Sequence, residues 1–321
     1  MWATIEQIFP YAIAFTIPLL ITALGALFSE RSGVVNIGLD GLMIVGSFIG
    51  ALVVSQLQEA FPDPGVPKVV LLLIGLAAAA IASALFSLLH AFASINLSAN
   101  QIISGTAINM IAGALTIFLA RNMTGSGNIR VKNGFATFDV PILSKIPVIG
   151  ELFFTRTYLT TWIVLGILIF SIILLYKTPF GLRLRSCGEH PHAAEAAGIR
   201  VQSMRYVGVM ISGAFSGLGG AIILLTYSGE FTGNVAGLGF LALASLIFGQ
   251  WKPIGILLAT LFFGFATTVA NVSQVIPSLA VFPPVLLKIF PYVVTLIALV
   301  IFSKSSNAPK AVGEPFDSGK R

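Results

Sequence analysis

VVLLLIGLAAAAIASALFSLLHAFA, residues 69–93, contains no Asp, Glu, Lys or Arg. An α-helix needs about 20 mostly apolar residues to cross the hydrocarbon of a bilayer, and this run exceeds that length. Reading outward from it, further apolar runs fall at roughly 8–28, 37–57, 101–120, 160–176, 206–227, 237–249, 254–271 and 285–303, each bounded by polar, Gly- or Pro-bearing breaks. The expected fold is therefore all-α, a polytopic transmembrane bundle of about eight to ten helices, nine by direct reading. The seventh run is short for a full crossing and stops at Gly249, Gln250, Trp251, Lys252 and Pro253, which suits a half-helix or a re-entrant segment buried in protein.

Composition agrees. Of 321 residues 56% are apolar and 9% charged, against about 25% charged in an ordinary soluble domain. The net charge of +6 comes from a few clustered Lys and Arg and from scarce acids. No basic stripe with interleaved aromatics appears, so a nucleic-acid partner is not expected and membrane lipid is. One cysteine, Cys187, leaves no internal disulfide, and three histidines make a metal cluster improbable. The N-terminal stretch lacks a basic leader and a small-residue cleavage site and reads as a retained helix. The domain division is a transmembrane part over 1–303 and a tail over 304–321.

Two loops, 121–159 and 177–205, each carry five Lys or Arg, so counting alone does not orient the chain. The first is long, which weakens its weight, and the tail adds Lys304, Lys310, Lys320 and Arg321 after the last run. We therefore expect 177–205 and the tail in the cytoplasm, with the N-terminus and 121–159 outside. The outer loop, with Arg121, Arg130, Lys132, Lys145 and Arg156, and the shorter stretch around Glu230 read either as a landing surface for another protein or as plain flexible loops.

Helices in lipid gain contact through small residues rather than through the hydrophobic effect. Gln101, Gly105, Asn109 and Gly113 recur every four residues, as do Gly208, Ser212, Ser216 and Gly220, with Gly213 and Gly217 beside them and Thr260, Gly264 and Thr268 as a third stripe. Helix packing explains Gly208, Gly213, Gly217 and Gly220; Gln101 and Asn109 add hydrogen-bonding capacity that packing does not require. Asn36 and Asp40 stand four apart at the start of the second run, a spacing that would place both on one helical face. A carboxylate at mid-bilayer costs roughly 2.5–3.5 kcal/mol on insertion scales, so it faces a wet path or sits near the interface. Both readings of Asp40 stay open: with Asn36, Gln101 and Asn109 it lines a substrate pathway, or it is a helix N-terminal charge.

KTPFGLRLRSCGEHPHAAEAAGIRVQSMRY, residues 177–206, lies between two apolar runs. Pro191 suits a first helical position, the alanines around Glu195 favour helix, and Gly198 suits a left-handed stop, which predicts about two turns lying free of the bilayer. So short a helix is marginal alone and needs a surface to dock on. Arg183, Arg185, Arg200 and Arg205 on its flanks read as anchors for headgroups or acidic partners.

Here the chain resembles the permeases of ATP-binding-cassette (ABC) importers, in the branch that handles branched-chain amino acids, ribose-like sugars and nucleosides. AEAAGI at 194–199 is similar to the cytoplasmic EAA loop of that superfamily, with its Gly displaced toward the motif as in this branch. FSERSGVVNIGLDGLMIVGSF from Phe28, ANQIISGTAINM from Ala99 and GFLALASLIFGQWKPIG from Gly239 extend the likeness over most of the chain. The resemblance implies a type II importer permease in a bacterial inner membrane, closest to the nucleoside and simple-sugar permeases. It implies Glu189, Pro191, Glu195 and Gly198 as contacts to an ABC ATPase subunit, which binds ATP and Mg while this chain holds no cofactor and catalyses nothing. It further implies a second permease chain, distinct from this one, and an extracellular substrate-binding lipoprotein. Ribose-like sugars or branched-chain amino acids are the alternative cargo. A stand-alone secondary transporter is the competing class, but it needs intramembrane ionisable residues, and beyond Asp40 the runs offer only His90 and Lys288. Twenty-five phenylalanines supply candidates for stacking a base, with nothing to single one out. Gly319 and Lys320 lack the spacing of a phosphate loop, and His190 and His192 flank Pro191 in poor geometry for chelation.

Overall fold

A computed structural model describes residues 2–61, 67–272, 285, 286, 289, 290, 293 and 307–317. Most of the ninth run, Lys288, Lys304 and the Gly319–Lys320 pair lie outside the described residues. Seven described helices are long and apolar enough to cross a membrane. They are α1 (Trp2–Arg31), α2 (Leu39–Ala60), α3 (Lys68–Ala91, continued by a π-helical turn, Phe92–Asn96), α4 (Gln101–Thr124), α6 (Leu159–Lys177), α9 (Val201–Ile223, continued by a π-helical turn, Leu224–Ser228) and α11 (Pro253–Val272). The seventh apolar run is α10 (Leu238–Phe248), whose 11 residues span about 16 Å, half a bilayer core.

Sequence signals place the ends. The Asn100 side chain accepts hydrogen bonds from the backbone N–H of Ile102 and Ile103 at the start of α4, and Gly125 closes that helix at φ 75°. α1 carries Pro10 and Pro18 without breaking, because α9 and α11 pack along it and it is almost wholly buried. It forms the axis of the bundle. α4 lies at the edge, with Ile102, Ile103, Met110, Ile111 and Phe118 exposed.

The stripes of small residues join the helices. A Cβ on Gly46 of α2 would collide with the Gly217 carbonyl of α9, and one on Gly220 with the Met43 carbonyl of α2. Gly213 and Gly217 meet Ser87 and Ser83 of α3, Gly208 meets Ser32 after α1, and Gly264 meets Thr16 of α1. Gly113, in the α4 stripe, faces open space.

Loops 121–159 and 177–205 lie at opposite ends of the bundle. The 121–159 loop is not plain coil: within it lie a short α5 (Ile149–Phe153) and two-residue strands. β1 (Ile129–Arg130) pairs antiparallel with β4 (Glu230–Phe231), and β2 (Thr137–Phe138) with β3 (Thr157–Tyr158). Arg130 Nη2 lies 3.6 Å from Glu230, so these two segments form one surface.

Candidate functional site

α2 does not begin where the apolar run begins. Residues 33–38 are non-helical, with Gly33 at φ 97°, and the helix starts at Leu39. Asn36 and Asp40 therefore do not share a helical face; this corrects the expectation from their spacing, which assumed helix over both. The segment enters the bundle as irregular backbone, tolerated at membrane depth only when protein groups satisfy its N–H and C=O.

Those groups are the predicted polar residues. Gln101 Oε1 accepts from Val35 N at 2.7 Å. Asn109 accepts from Gly41 N at 2.7 Å and donates to Ile37 O at 3.0 Å. Asn36, 1% exposed, accepts from Gly38 N at 3.1 Å and donates to Ser212 Oγ of α9 at 3.0 Å. Asp40 sits in the first turn of α2 and accepts from Gly239 N, in the first turn of α10, at 2.9 Å. One carboxylate thus lies at two helix N-termini, where the backbone dipoles favour it. The structure brings all four residues to one short stretch of chain. A fifth residue joins them, His90, which the sequence offered only as a weak ion-coupling candidate: its Nε2 lies 2.9 Å from Val35 O and Nδ1 3.0 Å from Ser104 Oγ. A carbonyl only accepts, so Nε2 carries the proton and Nδ1 accepts from the serine. His90 is tied to this backbone, which leaves it poorly suited as an ion-coupling group.

Beneath that segment the end of α1 carries Glu30 and Arg31, which the apolar run of 8–28 left outside. Glu30 is 4% exposed, and Trp251 Nε1 donates to it at 2.5 Å. Arg31 donates to Trp251 O at 2.7 Å and lies 3.7 Å from Glu189. A carboxylate buried this deeply must be hydrogen-bonded, and the indole supplies the donor. The only advance sign was the polar group SERS at the foot of an apolar run.

The 177–205 segment holds two helices where one was expected. α7 (Pro179–Glu189) starts with the Thr178 side chain accepting from Gly181 N at 3.2 Å, and α8 (Pro191–Ala196) follows. Gly198 stops α8 at φ 81°, its N–H donating to Glu195 O, while Ile199 N reaches back to Ala194 O. Ala194 is buried against Cys187, Val201 and Phe316; Ala193, Glu195, Ala196 and Ala197 face outward, so the predicted Glu195 is presented and Pro191 half-covered. Glu189 is turned back toward Arg31. Arg205 is not the surface anchor that its position suggested. It is 1% exposed, donates from Nη1 to Glu314 O at 2.9 Å and lies 5.8 Å from the Phe316 ring. The correction has a physical cause: residues 307–317 fold back under α7, with Ala311 N on Gly188 O and Gly313 N on Gly33 O, and they cover it.

The protein-family model described as "Branched-chain amino acid transport system / permease component" matches residues 8–299. The chain belongs to this family. As a family member it is a multi-pass membrane permease, a transport subunit and not an enzyme, within an ABC importer that includes ATPase and other permease subunits. It is 44% identical to the guanosine ABC transporter permease protein NupQ of Bacillus subtilis (strain 168), over 98% of this chain and 97% of that protein. It is 42% identical to the nucleoside ABC transporter permease protein NupC of Lactococcus lactis, over 99% and 98%. Its identity to the putative glucose ABC transporter permease protein TsgC13 of Haloferax volcanii is 32%, over 88% and 87%. The same two bacteria hold more distant relatives, the guanosine permease NupP at 28% and the nucleoside permease NupB at 25%.

Proposed function

We propose that this chain forms part of the membrane pathway of an ATP-driven importer of nucleosides in a bacterial cytoplasmic membrane. The likeness to two nucleoside permeases at 42–44% identity along nearly the whole chain carries the reading. Asn36, Asp40, Gln101 and Asn109 hold the irregular segment 33–38 in that pathway, where a shift of α2 against α10 breaks or remakes the Asp40–Gly239 bond. Glu195, with Pro191 and Gly198 fixing its helix, is offered to the ATPase, which carries ATP and Mg; Glu189 links that helix pair to α1 through Arg31.

The second permease is a different chain. Both bacteria with a close relative also hold a distant one of the same named cargo, and this chain matches the two at 42–44% and 25–28%. A substrate-binding lipoprotein outside and membrane lipid around α4 complete the set. The deciding experiment is purification with co-expressed partner subunits, followed by ATPase stimulation with guanosine, ribose, glucose and leucine. Guanosine stimulates; stimulation by a sugar or leucine alone sinks the nucleoside reading, and the 32% likeness to a glucose permease makes sugar the second candidate.

A further inference from the structure

At the end of the bundle bearing β1 and β4 lies a cavity of about 440 Å³, walled by α1, α2, the π-helical end of α9, the 229–237 loop, α10 and α11. Its volume falls within the roughly 300–1,000 Å³ of small-molecule sites. We propose that this cavity is a way-station for an uncharged nucleoside, and the proposal rests on the nucleoside reading above.

Three features point to that ligand. Phe15 and Tyr227 meet edge to face, centroids 5.9 Å apart and planes at 75°, which makes an aromatic corner for a flat base. Tyr227 lines the cavity from the π-helical turn that continues α9, a feature frequent at functional sites. Around the same cavity Ser47 of α2, Asn234 of the loop, and Thr267 and Asn271 of α11 offer neutral donors and acceptors for ribose hydroxyls and base edges. Among the described residues no Lys or Arg lines the cavity, and the one carboxylate that does, Glu230, is paired with Arg130. A phosphate or the carboxylate of an amino acid finds no cation among these described residues. The floor connects to the segment already described: Leu238 lines the cavity, and the next residue, Gly239, is the one bonded to Asp40. Opening below the nucleoside requires that contact to part.

The test uses the assembled transporter, with its ATPase and second permease, in lipid nanodiscs. In a Cys187→Ser background, Asn271→Cys is labelled with a maleimide. Guanosine slows labelling about fivefold or more at several times its Kd, whereas guanosine 5′-monophosphate does not. Tyr227→Ala lowers guanosine uptake about tenfold and Tyr227→Phe leaves most of it, as expected where stacking carries 1–3 kcal/mol. If wild-type transporter takes up guanosine while Asn271→Cys is unprotected and Tyr227→Ala transports normally, the cavity proposal falls and the nucleoside reading stands. If wild-type transporter ignores guanosine and takes up ribose, the functional reading itself falls. Equal protection by the monophosphate overturns the selectivity for uncharged ligands. Should Tyr227→Ala fail to co-purify with the ATPase, the labelling result decides alone.

Discussion

Single residues here act mostly as ties on backbone that has no helix to satisfy it. Asp40 shows this at one atom, since its Oδ1 accepts the Gly239 N–H that would otherwise be an orphan at the start of α10. Asp40→Ala lowers stability by about 1.5–3 kcal/mol, and Asp40→Asn, which keeps an acceptor, by less; thermal unfolding of the detergent-solubilised protein reads the difference. Cys187 responds to cover instead. Burial pushes its thiol above the ordinary value, with Arg205 and Ser186 pulling it back in part. The thiolate is the reactive form, so the native protein labels slowly at neutral pH and faster only as pH climbs past the range of a free thiol. A thiol held neutral by burial favours the fold below its unfolded value, about 8.5, and that contribution fades as pH rises through the folded one. Phe316→Ala removes the ring that covers it, and maleimide labelling of Cys187 at pH 7 accelerates. Unchanged labelling would mean that 307–317 does not cover this site.

Elements meet through glycine where the sequence periodicity places it, but periodicity does not say which glycine touches. Gly46→Val forces α2 away from α9 and costs about 1–3 kcal/mol or more, read as loss of monodisperse protein on size exclusion. Gly113→Ala, in one of the stripes read from the sequence, is neutral because nothing stands within 4 Å of its new methyl. The two positions differ in what lies opposite. The same applies to the short coupling helix. Its ends are written in Pro191 and Gly198, yet its footing on Cys187, Val201 and Phe316 joins residues up to 129 positions apart, from 187 to 316.

The whole molecule has two working ends, and their separation is the most direct test of the arrangement. With Cys187→Ser as background, Lys145→Cys and Glu195→Cys label from opposite faces of sealed vesicles, the second from the side of the ATPase. Labelling from one face contradicts the bundle. In the assembled transporter Glu195→Lys, on an exposed position, lowers nucleoside-stimulated ATPase activity while the chain still folds and inserts. The spans, the shortness of the seventh run, the α8 boundaries and the four polar residues near 33–41 are legible because hydropathy, Pro, Gly and side-chain chemistry act locally. Glu30, His90 and Arg205 are not, since their meaning comes from Trp251, Val35 and Glu314, which the chain brings from 55 to 221 positions away. Local patterning thus determined that this protein is a helical membrane bundle with a short, mostly exposed helix at one end. Only the tertiary structure decided that α2 starts late and that the tail buries an arginine, because satisfying polar groups inside a bilayer is settled by whichever distant residue arrives next to them.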